Sequence, residues 1–237
     1  MDLIRQEPPE VQEIIKAAAD KYGLMQSRDG IHATDCIYCL RKAYFSKKDS
    51  LPPTQIELFF YLLGLGLQDA LIPPTTGVSN EVEKDGILLN PDYYKNGVVA
   101  ELKTTRMTQK TVEEKGIPDG WLKQMMCYAY ALGVKSALLI LIPLIKPDIL
   151  SYVLKFEHME LERNWNHILG AASVLKVALD AEKPKALPRG QEWECRNCRY
   201  KLRCDTMDTQ HVVTPILSAN LPAQTLAELR EQEKQNV

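Results

Sequence analysis

Gly97-Val98-Val99-Ala100-Glu101-Leu102-Lys103-Thr104-Thr105 reads as a β-strand, because a β-branched and apolar run follows the turn residues Lys95-Asn96-Gly97. Successive side chains on a strand point to opposite faces, so Glu101 and Lys103 emerge together while Val98, Ala100 and Leu102 face the other way into a core. One face of the sheet then holds a carboxylate beside an ammonium. A second carboxylate from a neighbouring strand would let the pair grip a hard divalent cation such as magnesium or manganese, which polarises a phosphate and acidifies a bound water. The lysine is placed to orient that water or to steady developing negative charge.

Working upstream, Val78 to Leu89 is a strand candidate, joined to the first by the turn-rich Asn90-Pro91-Asp92 and Lys95-Asn96-Gly97. Asp85, which ends Glu81-Val82-Glu83-Lys84-Asp85 and precedes apolar residues, is taken as the second carboxylate. Asp92 stands beside Pro91, where aspartate commonly makes local turn hydrogen bonds, and is held as the reserve candidate. Downstream, Asp119 can cap a helix from Trp121 to Leu132 that Gly133 stops. Gln124 and Tyr128 are i and i+4 on it and share a face. The same periodicities predict helices over Pro8 to Tyr22, Cys36 to Lys48, Thr54 to Leu71 and Leu161 to Leu179, and strands over Ala137 to Leu144 and Ile149 to Phe156. Strands alternating with crossing helices give an α/β architecture around a mixed sheet.

The chain of 237 residues is 45% hydrophobic, enough for one substantial core, and its formal charge of −2 provides no global attraction to nucleic acid. Any such binding has to come from local basic patches, of which Arg41, Lys42, Lys47 and Lys48 form one and Arg196, Arg199, Lys201 and Arg203 another. The apolar run Ala137 to Ile145 contains a proline and is too short to span a bilayer, and the start lacks a signal pattern, so a soluble cytoplasmic protein without membrane contact is expected. In that compartment clustered cysteines more often bind metal than form disulfides. Cys195-x-x-Cys198-x5-Cys204 brings three thiols together, and Cys36-x-x-Cys39 lies far upstream. Zinc and an iron-sulfur centre both suit such thiolates, and spacing does not choose between them. Cys127 sits in an apolar helix beside Met125 and Met126 and reads as a buried structural thiol.

The ordered series Asp85, Glu101, Lys103, Gln124, Tyr128 resembles the PD-(D/E)XK nuclease superfamily, in particular its RecB-like branch, where Gln-x-x-x-Tyr sits on the helix after the catalytic strand. Cys39-Leu40-Arg41-Lys42-Ala43-Tyr44 looks like the Cys-Pro-Arg-Lys block of the CRISPR-associated RecB-like exonucleases, the family called Cas-four, with Leu40 in place of the proline. The resemblance implies that Asp85 and Glu101 ligate the metal, that Lys103 serves catalysis, and that Gln124 and Tyr128 position DNA or the lysine. It also implies that Cys39, Cys195, Cys198 and Cys204 hold a [4Fe-4S] cluster, with Cys36 a spare or alternate ligand. One departure stands out. The family carries a histidine ligand in a Gly-x-x-x-His pattern, and here that place reads Gly64-Leu65-Gly66-Leu67-Gln68. The Gln68 amide oxygen suits magnesium or can hold a metal-bound water.

The resulting expectation is a restriction-endonuclease-like PD-(D/E)XK core, a mixed β-sheet flanked by helices, with a cysteine-ligated iron-sulfur subdomain. One RecB-like domain would span 1–212, its core about 54–160 and its cluster subdomain 31–50 with 185–205, followed by a tail 213–237 in which Thr225 to Glu228 offers a capping box. By resemblance the activity is a magnesium- or manganese-dependent DNA exonuclease, on single-stranded DNA and 5′ to 3′, in CRISPR spacer acquisition or in viral or mobile-element DNA processing. DNA and CRISPR adaptation proteins would be its partners, and a homo-oligomer stays open. Two other readings compete: a noncatalytic nucleic-acid- or partner-binding module that keeps the fold, and a zinc-stabilised regulatory protein.

Overall fold

The computed structural model describes residues 9–24, 28–72, 81–146 and 148–209. The Pro73-Pro74 break, the first residues of the strand expected from Val78, and the tail with its capping box lie outside the described residues.

Helix α1 (Pro9–Lys21) ends as expected at Gly23, whose φ of 62° is left-handed, and the Leu24 N–H closes the end by donating to the Ala19 carbonyl at 3.0 Å. A two-residue strand β1 (Ile31–His32) leads into α2 (Ala33–Ile37) and α3 (Leu40–Lys48). The single helix expected from Cys36 is therefore two helices. Tyr38 and Cys39 are extended, and the Cys39 Sγ caps α3 by accepting from the Lys42 N–H at 3.5 Å. Helix α4 (Gln55–Leu71) begins with a capping box in which Thr54 and Glu57 satisfy each other's backbone N–H.

The strand expected over Val78 to Leu89 is instead a hairpin. Strands β2 (Val82–Lys84) and β3 (Ile87–Leu89) are antiparallel, and Asp85 and Gly86 between them have φ of 52° and 76°. Two successive positive φ values make a type I′ turn, for which Asp-Gly is a favoured pair. With β1 parallel to β3, these form a three-stranded sheet in the order β1-β3-β2. The second sheet runs β4-β5-β6-β7, from β4 (Tyr93–Lys95), β5 (Val98–Thr105), β6 (Ser136–Pro143) and β7 (Leu150–Lys155). Asn96-Gly97 turns β4 back onto β5 with Tyr93 opposite Ala100, while β5 and β6 are parallel with Glu101 opposite Leu139 and Lys103 opposite Leu141. The sheet is thus mixed. The parallel crossover from β5 to β6 carries α5 (Gln109–Lys115) and α6 (Asp119–Leu132), and α7 (His158–Asp180) packs on α6.

One residue departs from the expected burial of this strand. Val98, expected in the core, is 50% exposed, whereas Val99 has no exposed surface and joins the main core with Met125, Tyr128, Leu139, Leu141, Trp165 and Ile168. Helix α6 covers the face that carries Glu101, so the carboxylate lies under a helix rather than on an open sheet; Ala100 and Leu102 are buried on the opposite face. Leu139 and Leu141 flank the site from β6, and truncating either to alanine is expected to cost about 2–5 kcal/mol. A second core gathers Tyr44, Phe45, Leu175, Leu187, Tyr200 and Cys204. It roots α9 (Lys201–Thr209) against α3 and α7, and the one-turn helix α8 (Glu192–Cys195) precedes it. Among the described residues no helix is long and apolar enough to cross a membrane.

Candidate active site

Glu101 on β5 is 4% exposed, and its two oxygens have different surroundings. Oε1 accepts from the Lys103 Nζ at 2.6 Å and from the Gln124 Nε2 at 2.9 Å. Oε2 is buried with no hydrogen-bond partner. Gln124 is used in full: its Oε1 accepts from Lys103 at 2.9 Å, and its Nε2 also donates to the Tyr128 hydroxyl at 2.7 Å. The Tyr128 hydroxyl in turn donates a hydrogen bond to the Asn90 carbonyl at 3.1 Å. The i, i+4 pair on α6 therefore fixes the lysine and the carboxylate together, because each amide and hydroxyl group has one satisfied orientation.

The charges follow from this packing. Burial works against the Lys103 ammonium, yet the adjoining Glu101 more than offsets it and holds the lysine pKa above its ordinary value. Burial and the Glu101 charge raise Tyr128 well above the usual phenol range, so it keeps its proton and serves as a hydrogen-bond donor to the Asn90 carbonyl. Behind Asn90, His32 is buried, with Nδ1 3.1 Å from the Asn90 Oδ1 and Nε2 3.0 Å from the Asp29 carbonyl.

The second carboxylate of this site is Asp92 and not Asp85. Extending the β4–β5 register by one step places Asp92 opposite Glu101, and its Oδ2 accepts from the Leu102 N–H at 2.7 Å. Burial, then the Glu101 charge, push its carboxyl up to about 7. Asp85 belongs to the other sheet. It sits in the β2–β3 turn, where its Oδ2 accepts the Trp165 indole N–H at 2.8 Å and ties the hairpin to α7. Reading Val78 to Leu89 as one strand hid this turn, although Asp-Gly between apolar residues is the sequence sign of a type I′ hairpin. Gln68 lies on α4, which runs beside β5 with the Cβ position of Gly64 3.8 Å from the Thr104 Oγ1. Among the described residues no hydrogen bond joins its side chain to Glu101, Asp92 or Lys103.

The cysteines separate into two groups. Cys36 and Cys127 are both in the main core, where burial pushes each thiol up to about 12, and Cys127 accepts from the Asn164 Nδ2 at 3.4 Å. Cys36 is thus set apart from the C-terminal trio. Cys39 and Cys195 both lie against Gly190: a Cβ there would meet the Cys39 Sγ at 2.9 Å, and the Cys195 Sγ is 3.7 Å from the Gly190 carbonyl. Cys204 is raised to about 11 by burial, then by the nearby Cys39. Glu194 accepts from the Cys39 N–H at 2.8 Å and so clasps the upstream cysteine to the downstream segment. Among the described residues no three histidine, cysteine or acidic side chains are arranged to hold a metal ion.

No protein-family model matches the chain, and no curated protein does. Among solved structures it is similar to the crystal structure of SSO0001, with a TM-score of 0.50 at 18% identity over 84% of this chain and 98% of that one. An alkaline exonuclease (LHK-Exo) from Laribacter hongkongensis aligns with a TM-score of 0.48 at 12% identity, over 74% of this chain and 97% of that one. A phage-related exonuclease from Haemophilus somnus 129PT aligns with a TM-score of 0.48 at 12% identity, over 65% and 96%. The similarity to SSO0001 is one of fold.

Proposed function

We propose that the protein is a divalent-metal-dependent nuclease that hydrolyses phosphodiester bonds in DNA. The observation behind this reading is the Glu101 Oε2, a buried carboxylate oxygen with no hydrogen-bond partner, next to a second carboxylate, Asp92, that burial and then the Glu101 charge push up to about 7. Lys103 offsets part of the repulsion between these two buried acids, and a divalent cation joining them would remove the rest. Magnesium asks for one or two protein carboxylates and completes its shell with water and substrate phosphate, so Asp92 and Glu101 fit it, with the Gln68 amide oxygen a further ligand, direct or through water. When bound, such a cation polarises the phosphate and lowers the pKa of an attacking water.

The chain's own groups do the rest. Lys103, held charged between Glu101 and Gln124, offers N–H donors to the negative charge that develops on phosphate. Gln124 keeps that lysine and Glu101 in register, and Tyr128 locks Gln124 from the Asn90 carbonyl. The finer reading follows the resemblance of Glu101-x-Lys103 with Gln124-x-x-x-Tyr128: an exonuclease, acting on single-stranded DNA from 5′ to 3′, in spacer acquisition or mobile-element DNA processing. Cys39, Cys195, Cys198 and Cys204 are its proposed iron-sulfur ligands, supported by Cys39 and Cys195 sharing Gly190.

End-labelled single- and double-stranded DNA incubated with manganese tests the assignment. Wild type should release short terminal products, and Glu101→Ala and Lys103→Ala should lose them while still folding. Equal cleavage by all three proteins would remove the assigned centre, and internal fragments would make the enzyme an endonuclease. Iron and zinc analysis of anaerobically purified protein tests the cluster: colourless protein with stoichiometric zinc would replace it.

A further inference from the structure

A cavity of about 770 Å³ opens between α3, α4 and the cysteine-rich segment, and its wall includes Tyr38, Tyr61, Trp121 and Trp193. Tyr38 connects it to the candidate active site. Its hydroxyl and ring edge press on Gly120, where any Cβ would come within 2.8 Å of the ring. Gly120 lies in the first turn of α6, and Gln124, one turn on, touches Lys103. Trp193 is 60% exposed and still has a fixed attitude. Its indole N–H donates to the Gln191 Oε1 at 2.7 Å, and its ring meets Tyr38 edge-on with centroids 6.3 Å apart. A large aromatic that is held this way but not covered has surface left for a flat ligand.

The cations of the same wall are already matched. Lys42 and Arg199 both pair with Glu57, at 3.1 and 3.0 Å, and Arg28 and Lys47 pair with Asp35, at 3.7 and 2.9 Å. A phosphate in this cavity would have to compete with those carboxylates, whereas an uncharged base would not. We propose that Trp193 and Tyr38 form a docking site for an unpaired nucleobase of the strand being cut, adjoining the position of the scissile phosphate. This inference rests on the nuclease reading. It assigns the grip near the catalytic lysine to ring stacking, which tolerates any base sequence and depends weakly on salt, in contrast to phosphate contacts.

Binding is measured in Glu101→Gln protein, so that no DNA is cut, using a thymidine oligonucleotide and an abasic oligonucleotide of equal length and charge. The thymidine strand should quench tryptophan fluorescence and the abasic strand should not, and Trp193→Leu should remove the quenching and weaken affinity about tenfold. Tyr38→Ala should weaken it too, and Tyr38→Phe, which keeps the ring, should not. Equal affinity for both strands, or quenching that survives Trp193→Leu, would overturn the docking site. The two readings fail separately. Wild type that cuts with manganese but shows no base-dependent quenching loses the docking site alone; wild type that shows the quenching and never cuts loses the nuclease.

Discussion

Asp92 makes the metal-free protein pay for neutral pH, and this can be measured without any substrate. Its carboxyl is raised from an ordinary 3.8 to about 7 by burial and by Glu101. A folded-state pKa above the unfolded one means that the native state binds more protons between those values, so stability falls as pH rises from about 4 to 7. The shift corresponds to about 4 kcal/mol lost by pH 8. Lys103, raised above 10.5, stays charged across this window and adds no slope. His32 and His167, both lowered chiefly by burial, act in the opposite sense: each loses stability as pH falls through 6.5, so they oppose Asp92 near that value. Asp92→Asn removes this titration alone, because the asparagine carbonyl can still accept from the Leu102 N–H. Urea unfolding in EDTA from pH 4 to 8 should show a falling limb in wild type that the variant lacks, leaving the variant more stable at pH 8. Millimolar magnesium or manganese at pH 8 should restore the wild type and leave the variant unchanged. Superimposable pH curves for the two proteins, or equal stabilisation of both by metal, would refute the pairing of Asp92 with Glu101.

Three further outcomes separate the site's parts. Lys103→Ala should lower kcat about 10²–10³-fold with little change in KM, measured by steady-state cleavage, since its donors act on charge that develops in the transition state. Asp85→Ala should leave cleavage intact and cost about 1–3 kcal/mol in a denaturant melt, through loss of the Trp165 hydrogen bond. Gly190→Ala would bring a methyl to 2.9 Å from the Cys39 Sγ, and should lower iron or zinc content per chain by elemental analysis while the fold persists by circular dichroism.

The strand Val98–Thr105 and the helix expected over Trp121 to Leu132 were legible because their patterns are local: apolar alternation, a turn before the strand, a glycine after the helix; the helix begins earlier, at Asp119, which lies inside it and does not cap it. With them came Glu101, Lys103, Gln124 and Tyr128, whose convergence follows from strand alternation and the i, i+4 spacing. The sequence also carried the sign that Asp85 is a turn residue, in Asp85-Gly86, and a continuous-strand reading passed over it. The break at Tyr38-Cys39 was less visible, since a cysteine is an uncommon cap and the helix signals run on either side of it.

What sequence alone determined here is the set of residues whose geometry depends on their near neighbours along the chain. Which aspartate joins Glu101, which face of β5 lies under α6, and which cysteines share Gly190 were decided only by the tertiary structure. The helix packing and the cysteine cluster depend on contacts between distant segments, and the choice of aspartate depends on strand register, where a one-residue change turns every side chain to the other face. The β4–β5 hairpin sets that register for Asp92, and the packing of α6 over β5 turns an ordinary strand carboxylate into a buried one.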